Sequence, residues 1–256
     1  MRLFDTHAHY DDEAFDPDRD ELLASMPERG VELILNPGCS LESSRAAVEL
    51  SHRFPFVYAA VGVHPSDCLG FGTETAEKLR ELARDPKVRA VGEIGLDYHW
   101  DDAPGKEQQL SALHTQLELA RELDLPVIIH DRDAHGDCLA AVREHPEVRG
   151  VYHCYSGGLE DAKTLVRMGW MLSFTGVITY KNARRSHEVI RWMPMDRLML
   201  ETDSPYLPPV PFRGERNHSG RLPLMAQCVA ELRGMDADEV ALKTLENGKR
   251  FFHIED

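Results

Sequence analysis

The residues best suited to chemistry in this sequence are histidines and acids that follow apolar runs. His7 and His9 stand two positions apart at the end of a strand-like run, residues 3–9. Because side chains two apart in a strand project to the same face, both imidazoles can point at one site. An isolated pair of this kind is equally compatible with two buried structural histidines. Four further residues of ligating type end other apolar runs: Glu93, His130, His153 and Asp203.

These six side chains together predict metal ligands, since burying so much charge without partners is costly. Four imidazoles and two carboxylates are too many for one tetrahedral ion. They suit two divalent ions about 3.5–4 Å apart that share a carboxylate bridge, for which Glu93 is the natural candidate. The nitrogen-rich set favours Zn²⁺ or Mn²⁺, while Mg²⁺ or Mn²⁺ suits a substrate that supplies phosphate oxygens. We therefore expect a pair of divalent ions as the cofactor.

Asp203 and Glu93 are the predicted catalytic residues. Two cations flanking a water would lower its pKa, and Asp203 could accept the released proton and pass it to the leaving group. The predicted substrate contacts end a strand candidate or follow one: His64, Arg132, Arg213 and Arg216. The arginines could meet phosphate, although each is equally compatible with a solvated loop charge. Three tyrosines near loops are weaker candidates for stacking on a base or sugar: Tyr98, Tyr155 and Tyr206.

Eight short β-rich runs alternate with amphipathic stretches, which predicts repeated βα units around a parallel sheet. The runs are residues 3–9, 31–37, 56–64, 88–94, 126–130, 150–153, 171–175 and 197–203. Helical spacing of leucines is clear in residues 106–123, and two more helical stretches, 223–233 and 237–252, follow the last run. An eight-stranded parallel sheet closes naturally into a barrel. The predicted fold class is α/β, a single (β/α)₈ TIM barrel with two extra C-terminal helical stretches, and residues 1–256 form one domain.

The composition is that of a folded protein and limits its partners. At 256 residues the chain has the length of one barrel, with 42% hydrophobic and 29% charged residues. The formal charge of −15 repels a polyanion, so any contact with nucleic acid must be local. Five cysteines lie far apart without a CxxC pair, which argues against a disulfide-linked partner or a thiolate zinc site. No membrane segment or secretory signal is visible, so we expect a cytoplasmic protein.

Six motifs give the sequence a resemblance to a known family. They are Asp5-Thr6-His7-Ala8-His9, Gly62-Val63-His64-Pro65, Gly92-Glu93-Ile94-Gly95-Leu96-Asp97-Tyr98, His130-Asp131-Arg132-Asp133-Ala134, His153-Cys154-Tyr155-Ser156-Gly157 and Glu201-Thr202-Asp203-Ser204-Pro205-Tyr206. Together they resemble the TatD family of metal-dependent hydrolases nearly end to end. The resemblance implies one ion held by His7, His9, Glu93 and Asp203, and a second held by Glu93, His130 and His153.

The resemblance also implies an activity. Members of the TatD family are associated with Mg²⁺- or Mn²⁺-dependent DNase action, including 3′ to 5′ exonuclease action, and some relatives with deacylation of mischarged tRNA. One segment departs from the family: after residues 211–217, where members usually continue with Glu-Pro, this chain has His218-Ser219. Because that loop is expected to line the substrate mouth, the departure bears on substrate preference.

Three functions compete on this basis. The first is a deoxyribonuclease that acts on DNA ends or single strands through a metal-activated water. The second is a metal-dependent ester or amide hydrolase, such as a D-aminoacyl-tRNA deacylase or a small-metabolite amidohydrolase. Amide-cleaving barrels often bridge their metals with a carboxylated lysine on the fourth strand, where this chain has Glu93. This difference favours phosphoester chemistry, and six intact ligands argue against the third possibility, a binding protein with a vestigial site.

Overall fold

The computed structural model describes residues 1–255, so the end of the predicted domain at residue 256 lies outside them. Eight parallel strands pair in chain order from β1 to β8. The strands are β1 Leu3–Asp5, β2 Val31–Pro37, β3 Val57–Val61, β4 Val88–Asp97, β5 Val127–Arg132, β6 Gly150–Tyr152, β7 Met171–Phe174 and β8 Leu198–Leu200. The α-helices are α1 Arg19–Ala24, α2 Leu41–Arg53, α3 Thr73–Leu82, α4 Lys106–Leu123, α5 His135–Glu144, α6 Leu159–Arg167, α7 Arg184–Trp192, α8 Leu222–Arg233 and α9 Ala237–Phe251. Short 3₁₀ helices span Glu13–Phe15, Pro27–Arg29, Pro65–Asp67, Gly176–Thr179, Met195–Arg197 and Ser219–Arg221.

This alternation is a (β/α)₈ TIM barrel, as the sequence predicts, and α8 and α9 are the two helical stretches expected after the last strand. One side chain from each strand joins a single apolar cluster, which places that cluster inside the barrel: Phe4, Leu35, Ala60, Ala90, Ile128, Val151, Met171 and Met199. Phe251 and Phe252, at the end of α9, belong to the same cluster. The Asn247 side-chain amide donates to the Leu198 carbonyl at 2.8 Å. Helix α9 therefore covers the interior at the end of the barrel where β8 begins.

The barrel closes between the segments that follow β1 and β8. The Asp203 amide donates to the His7 carbonyl at 2.9 Å, and the His9 amide donates to the Ser204 carbonyl at 2.7 Å. Ala8 and Ser204 form an isolated parallel bridge. Asp203 has a φ of 56°, a left-handed conformation that is uncommon outside glycine. The closure therefore lies among residues that the sequence predicts to be ligands.

A side-chain clasp ends both of these strands earlier than predicted. Both oxygens of the buried Asp5 carboxylate accept from Thr202, at 2.9 Å from its backbone amide and 2.5 Å from its hydroxyl. Thr202 thus gives its amide hydrogen to a side chain instead of the sheet, so β8 ends at Leu200 where the sequence predicts residue 203. Burial raises the pKa of Asp5 to about 7, against the effect of its hydrogen-bond donors.

Strand β4 shows the opposite difference, because it runs to Asp97 where the sequence predicts an end at residue 94. The register of β4 against β5 shifts between Val91 and Ile94, and pairing then continues with Gly95 opposite His130. Gly95 has a φ of +148°, and a Cβ there would collide with the His130 carbonyl. The absence of a side chain at residue 95 thus allows β4 to reach the mouth of the barrel.

Candidate metal centre

The Glu93 carboxylate lies at the centre of the predicted ligands, and one of its oxygens faces the end of β1. Glu93 Oε2 is 3.3 Å from His7 Nε2 and 3.5 Å from His9 Nε2. The remaining acid of this group is Asp203, whose Oδ1 is 3.6 Å from His7 Nε2 and 3.5 Å from His9 Nε2. We name His7, His9, Asp203 and Glu93 Oε2 half-site A.

The second oxygen of Glu93 faces a different pair of histidines. Glu93 Oε1 is 2.8 Å from His130 Nδ1 and 2.7 Å from His153 Nε2. We name His130, His153 and Glu93 Oε1 half-site B. The six predicted ligands are therefore together, with a single carboxylate between two groups of imidazoles. This is the arrangement that a carboxylate-bridged pair of ions requires.

Contacts between imidazole nitrogens fit a bound cation. In half-site A, His7 Nε2 and His9 Nε2 are 3.0 Å apart; in half-site B, His130 Nδ1 and His153 Nε2 are 3.2 Å apart. A neutral histidine has a lone pair on one ring nitrogen, so each contact can bring two lone pairs together when both histidines adopt the matching tautomer. A divalent ion accepts both lone pairs at once, so this donor set fits a metal.

The electrostatics of the centre favour an ionised bridge. Burial disfavours the charged form of Glu93, but the surrounding histidines, led by His153 and His7, outweigh it and hold the pKa of Glu93 well below its usual value. Burial, with His130 nearby, lowers the pKa of His64 to about 3, so this imidazole is neutral. Burial raises the pKa of Cys39 to about 11. Without a bound ion the Cys39 thiol is therefore protonated at neutral pH.

A cavity of about 390 Å³ opens onto the centre from the mouth of the barrel. Its lining side chains are His9, Asp11, Asp12, Cys39, Ser43, His64, Asp67, Glu93, His130, His153, Asp203 and Tyr206. Three of these, Asp11, Asp12 and Asp67, are acids that the sequence analysis does not single out. Among residues 1–255, lysine and arginine are absent from this lining, so the ionisable groups nearest a substrate inside the cavity are mainly carboxylates and imidazoles.

His64 is the predicted substrate contact that lines the cavity. Its Nδ1 accepts from the Ser66 amide at 3.1 Å, so its single proton in the neutral form belongs on Nε2. That nitrogen is 3.8 Å from Glu93 Oε1. Arg132 is the last residue of β5 and is exposed, with its guanidinium 5.0 Å from the centre of the Trp100 ring.

The other two predicted arginine contacts lie outside the cavity lining. Arg216 forms a bidentate ion pair with Asp18, at 2.8 and 2.7 Å, and packs over the Phe15 ring. Arg213 is exposed, and its guanidinium is 4.4 Å from the centre of the Tyr180 ring. Their role as substrate contacts stays a prediction, and the Asp18 pair leaves Arg216 less free to meet phosphate than Arg213.

The aromatic and loop predictions have mixed outcomes. Tyr206 lines the cavity, with its side chain accessible and its hydroxyl donating to Asp12 at 2.7 Å. Tyr155 is only 5% exposed and belongs to the apolar core, so stacking of a base on it is excluded. The loop with His218 and Ser219, which the sequence predicts to line the substrate mouth, contributes no described residue to the cavity lining. Ser219 is fully buried and exchanges hydrogen bonds with Tyr10.

Two buried acids at the centre are missed by the sequence analysis. Asp97 Oδ2 is 3.1 Å from His130 Nε2, and Glu201 Oε1 is 3.4 Å from His153 Nδ1. Both lie within the family motifs, as acids that follow apolar strand residues. That position is the signal that could have identified them, because it is the same signal that identifies Glu93 and Asp203.

A parallel barrel with histidine and carboxylate clusters at the carboxyl ends of its strands defines the class of metal-dependent barrel hydrolases. The chain belongs to the TatD family: the family model described as TatD related DNase matches residues 4–253. It is therefore a metal-dependent hydrolase of that family, as the sequence motifs indicate.

Individual relatives match over nearly the whole chain. An uncharacterized metal-dependent hydrolase, YabD of Bacillus subtilis (strain 168), is 41% identical, with 98% of this chain and 99% of YabD covered. The 3′-5′ ssDNA/RNA exonuclease TatD of Erwinia tasmaniensis is 36% identical, with 98% and 100% covered. The crystal structure of YjjV, a TatD homologue from Escherichia coli K12, superposes with a TM-score of 0.93 at 34% identity, covering 99% of both chains.

Two further observations concern the membrane and cysteine predictions. Within residues 1–255, no helix has the length and apolar character needed to cross a bilayer. The five cysteines are free thiols in the same part of the chain: Cys39, Cys68, Cys138, Cys154 and Cys228. The cytoplasmic location stays a prediction.

Proposed function

We propose that this hydrolase is a deoxyribonuclease that cleaves phosphodiester bonds from the 3′ end of single-stranded DNA with two divalent ions. The proposed ligands are His7, His9, Glu93, His130, His153 and Asp203. The observation that carries the proposal is the Glu93 carboxylate, whose oxygens each face a different pair of histidines at 2.7–3.5 Å. The exonuclease name of the Erwinia relative supports the choice of substrate and polarity.

The chain's own residues have separate tasks in this reaction. Two bound divalent ions supply Lewis acidity, which acidifies a water and stabilises charge on the phosphate oxygens. Asp203 is the proposed proton acceptor, because it lines the cavity at the edge of half-site A, with its side chain 14% exposed. Glu93 is nearly inaccessible at 3% and would help to hold both ions. A proton taken up by Asp203 can pass to the leaving oxygen as the bond breaks.

His64 is proposed to orient the substrate. Its neutral ring presents the Nε2 proton toward the cavity, where it can donate to a non-bridging phosphate oxygen. The exposed Tyr206 ring, whose centre is 6.4 Å from that of His9 in half-site A, offers a surface for a sugar or base.

A second candidate, cleavage of a carboxylic ester or amide, is favoured by one observation. The cavity lining has acids and lacks lysine and arginine, which suits a substrate of low negative charge better than a polyanion. Removal of an amino acid from tRNA or hydrolysis of a small ester belongs to this candidate. Both candidates use the same ions and the same Glu93 bridge.

Parallel assays separate the two candidates. Purified protein loaded with Mn²⁺ is given 5′-labelled single-stranded DNA and, separately, aminoacyl-tRNA, with and without EDTA. We expect stepwise shortening of the DNA from its 3′ end that EDTA abolishes and that Glu93→Gln lacks. Ester cleavage with intact DNA would replace the first candidate by the second. DNA shortening that persists in EDTA and in Glu93→Gln would indicate a contaminating nuclease.

A further inference from the structure

The nitrogens of half-site B that face away from Glu93 point toward buried carboxylates. His130 presents Nδ1 to Glu93, and its Nε2 is 3.1 Å from Asp97 Oδ2. Asp97 is 2% exposed, and its backbone is clamped by Gln109 of α4, through hydrogen bonds of 2.8 and 2.9 Å. The other carboxylate oxygen, Oδ1, accepts from the His99 amide at 2.9 Å. Asp97 is thus held at a fixed position behind His130.

His153 has a similar but looser relation to Glu201. With Nε2 facing Glu93, its Nδ1 lies 3.4 Å from Glu201 Oε1 and makes no hydrogen bond among residues 1–255. Glu201 is 1% exposed and is fixed at both oxygens: Oε1 accepts from the Cys154 amide and Oε2 from the Ser173 hydroxyl, each at 2.6 Å. A protonated Nδ1 of His153 therefore faces an immobile carboxylate. A small rotation of the His153 ring would bring this N–H into a hydrogen bond with Glu201.

Half-site A lacks this support. His7 Nδ1 is buried and has no hydrogen-bond partner among residues 1–255. His9 Nδ1 is 3.9 Å from the Cys39 sulfur, a neutral thiol. Carboxylates therefore stand behind the histidines of one half-site and not behind those of the other.

We propose that Asp97 and Glu201 are positioning residues that accept the far proton of His130 and His153 and thereby set the affinity of half-site B for its ion. A carboxylate behind a ligating histidine fixes its tautomer and ring orientation and makes the ligating nitrogen more basic. The loss of such a partner typically weakens metal binding by about 10–100-fold. The proposal rests on the two-ion site above, and it predicts a loss confined to one of two ions.

A different role for Asp97 is also compatible with its neighbours. His64, Asp97 and His130 lie close enough together to hold an ion of their own. That ion would need His130 Nε2 as a lone-pair donor, whereas the positioning role needs the same nitrogen to carry the proton. The two roles are therefore mutually exclusive when His130 Nδ1 binds the ion of half-site B.

The experiment measures metal binding without nucleic acid, so its result is independent of the proposed nuclease activity. Wild type, Asp97→Asn, Asp97→Ala and Glu201→Gln are freed of metal and titrated with Zn²⁺ against a chromophoric chelator, and with Co²⁺ by visible absorption. The control is Asp131→Asn, because Asp131 pairs with His135 at 2.8 Å in the same carboxylate–histidine manner. His135 is not one of the proposed ligands, so this control should bind metal as wild type does. Circular dichroism verifies that each variant is folded.

We expect wild type and Asp131→Asn to bind two ions with the same affinities. In each positioning variant, one of the two ions should bind more weakly and the other should bind as in wild type. Asp97→Asn keeps an oxygen acceptor without the charge, so it should lose about tenfold in affinity and Asp97→Ala more. The Co²⁺ spectrum should lose only the absorption of the weakened ion. Unchanged affinities in folded Asp97 and Glu201 variants, equal loss of both ions, or loss of a third ion from Asp97→Asn would each overturn the proposal. If Asp97→Ala does not fold, Asp97→Asn and Glu201→Gln carry the test.

Discussion

Asp203 differs from the other proposed ligands because it combines access to the cavity with a strained backbone. Its φ of 56° and its amide hydrogen bond to the His7 carbonyl fix the direction of the side chain. Such conformations persist where the surroundings impose them, and they cluster at functional sites. Burial opposes ionisation of Asp203, but the hydrogen bond with His9 and the charges of His7 and His153 outweigh it and lower the pKa of Asp203, so the carboxylate is ionised and can accept a proton.

We therefore expect Asp203→Asn to lose turnover by at least about a hundredfold while it keeps the fold. The amide retains an oxygen for the ion but cannot act as a base at neutral pH. The measurements are kcat on a 3′-labelled oligonucleotide and metal content after gel filtration. Asp196→Asn, an exposed acid beside the opposite end of β8, is the matched control. Near-normal turnover in Asp203→Asn would exclude it as the proton acceptor.

Protonation of His218 is expected to make the stability of the fold depend on pH. Its Nδ1 is buried without a hydrogen-bond partner among the described residues. Burial first, and then the nearby Arg221 and Arg29, lower its pKa to about 4. The unfolded chain therefore protonates His218 at a higher pH than the folded protein does. The free energy of unfolding is unaffected by this group above the unfolded pKa near 6.5, and it decreases as pH falls from there toward 4.

His218→Gln should therefore lose less stability between pH 6.5 and 4 than wild type, because glutamine does not take up a proton. The difference is at most about 3 kcal/mol, since one pKa unit corresponds to 1.36 kcal/mol. Urea unfolding at a series of pH values in this range measures it. Parallel curves for the two proteins would show that protonation of His218 does not oppose folding.

At the scale of elements, Gly95 joins the strand that carries Glu93 to the strand that carries His130. A Cβ at residue 95 would collide with the His130 carbonyl, and the φ of +148° is unfavourable for a side chain. Gly95→Ala should destabilise the metal-free protein by about 2–4 kcal/mol and lower its metal content by moving His130. Chemical denaturation in EDTA and metal analysis test this expectation.

Gly136→Ala provides the control for this substitution. Gly136 lies in α5, and nothing lies within 4 Å of the position that its Cβ would occupy. Alanine has the higher helix propensity, so this variant should be slightly more stable than wild type. If the two variants changed stability in the same direction and by the same amount, a collision with β5 would not explain why residue 95 must be glycine.

The order of elements could be predicted from the sequence, whereas their ends could not. All eight strands lie within or overlap the predicted runs, because period and composition are local properties. The ends depend on contacts between distant segments: the clasp of Asp5 with Thr202 shortens β8, and the approach of Gly95 to His130 lengthens β4. Such contacts join residues up to 197 positions apart and leave no local pattern.

The candidate site shows the same division. Its six predicted ligands converge because every parallel strand of a barrel brings its carboxyl end to one rim, which the alternating pattern implies. The position of Asp97 behind His130 depends on ring orientation and on three residue pairs between β4 and β5 beyond residue 94, so the sequence could not assign it. The three further acids on the cavity lining, Asp11, Asp12 and Asp67, come from connections between strands and α-helices, whose paths the pattern does not describe.

For the whole molecule, charge is the property that limits the substrate. The net charge is −15, and acids outnumber cations around the cavity, where lysine and arginine are absent from the lining. Of the arginines predicted to meet phosphate, Arg216 is paired with Asp18, while Arg132 and Arg213 are exposed on aromatic rings. A bound strand would therefore have few of its phosphates neutralised by side chains.

The salt dependence of binding follows from this distribution. Each phosphate neutralised on a single strand contributes about −0.7 to the slope of log affinity against log salt concentration. With one or two phosphates near Arg132 and Arg213, the slope for a single-stranded oligonucleotide should be no steeper than about −1.4. The measurement is binding to Asp203→Asn at saturating metal over a range of KCl concentrations, with Arg132→Ala and Arg213→Ala each reducing the slope. A slope of about −3 or steeper would require several neutralised phosphates, and hence a basic path that the rim of this barrel does not provide.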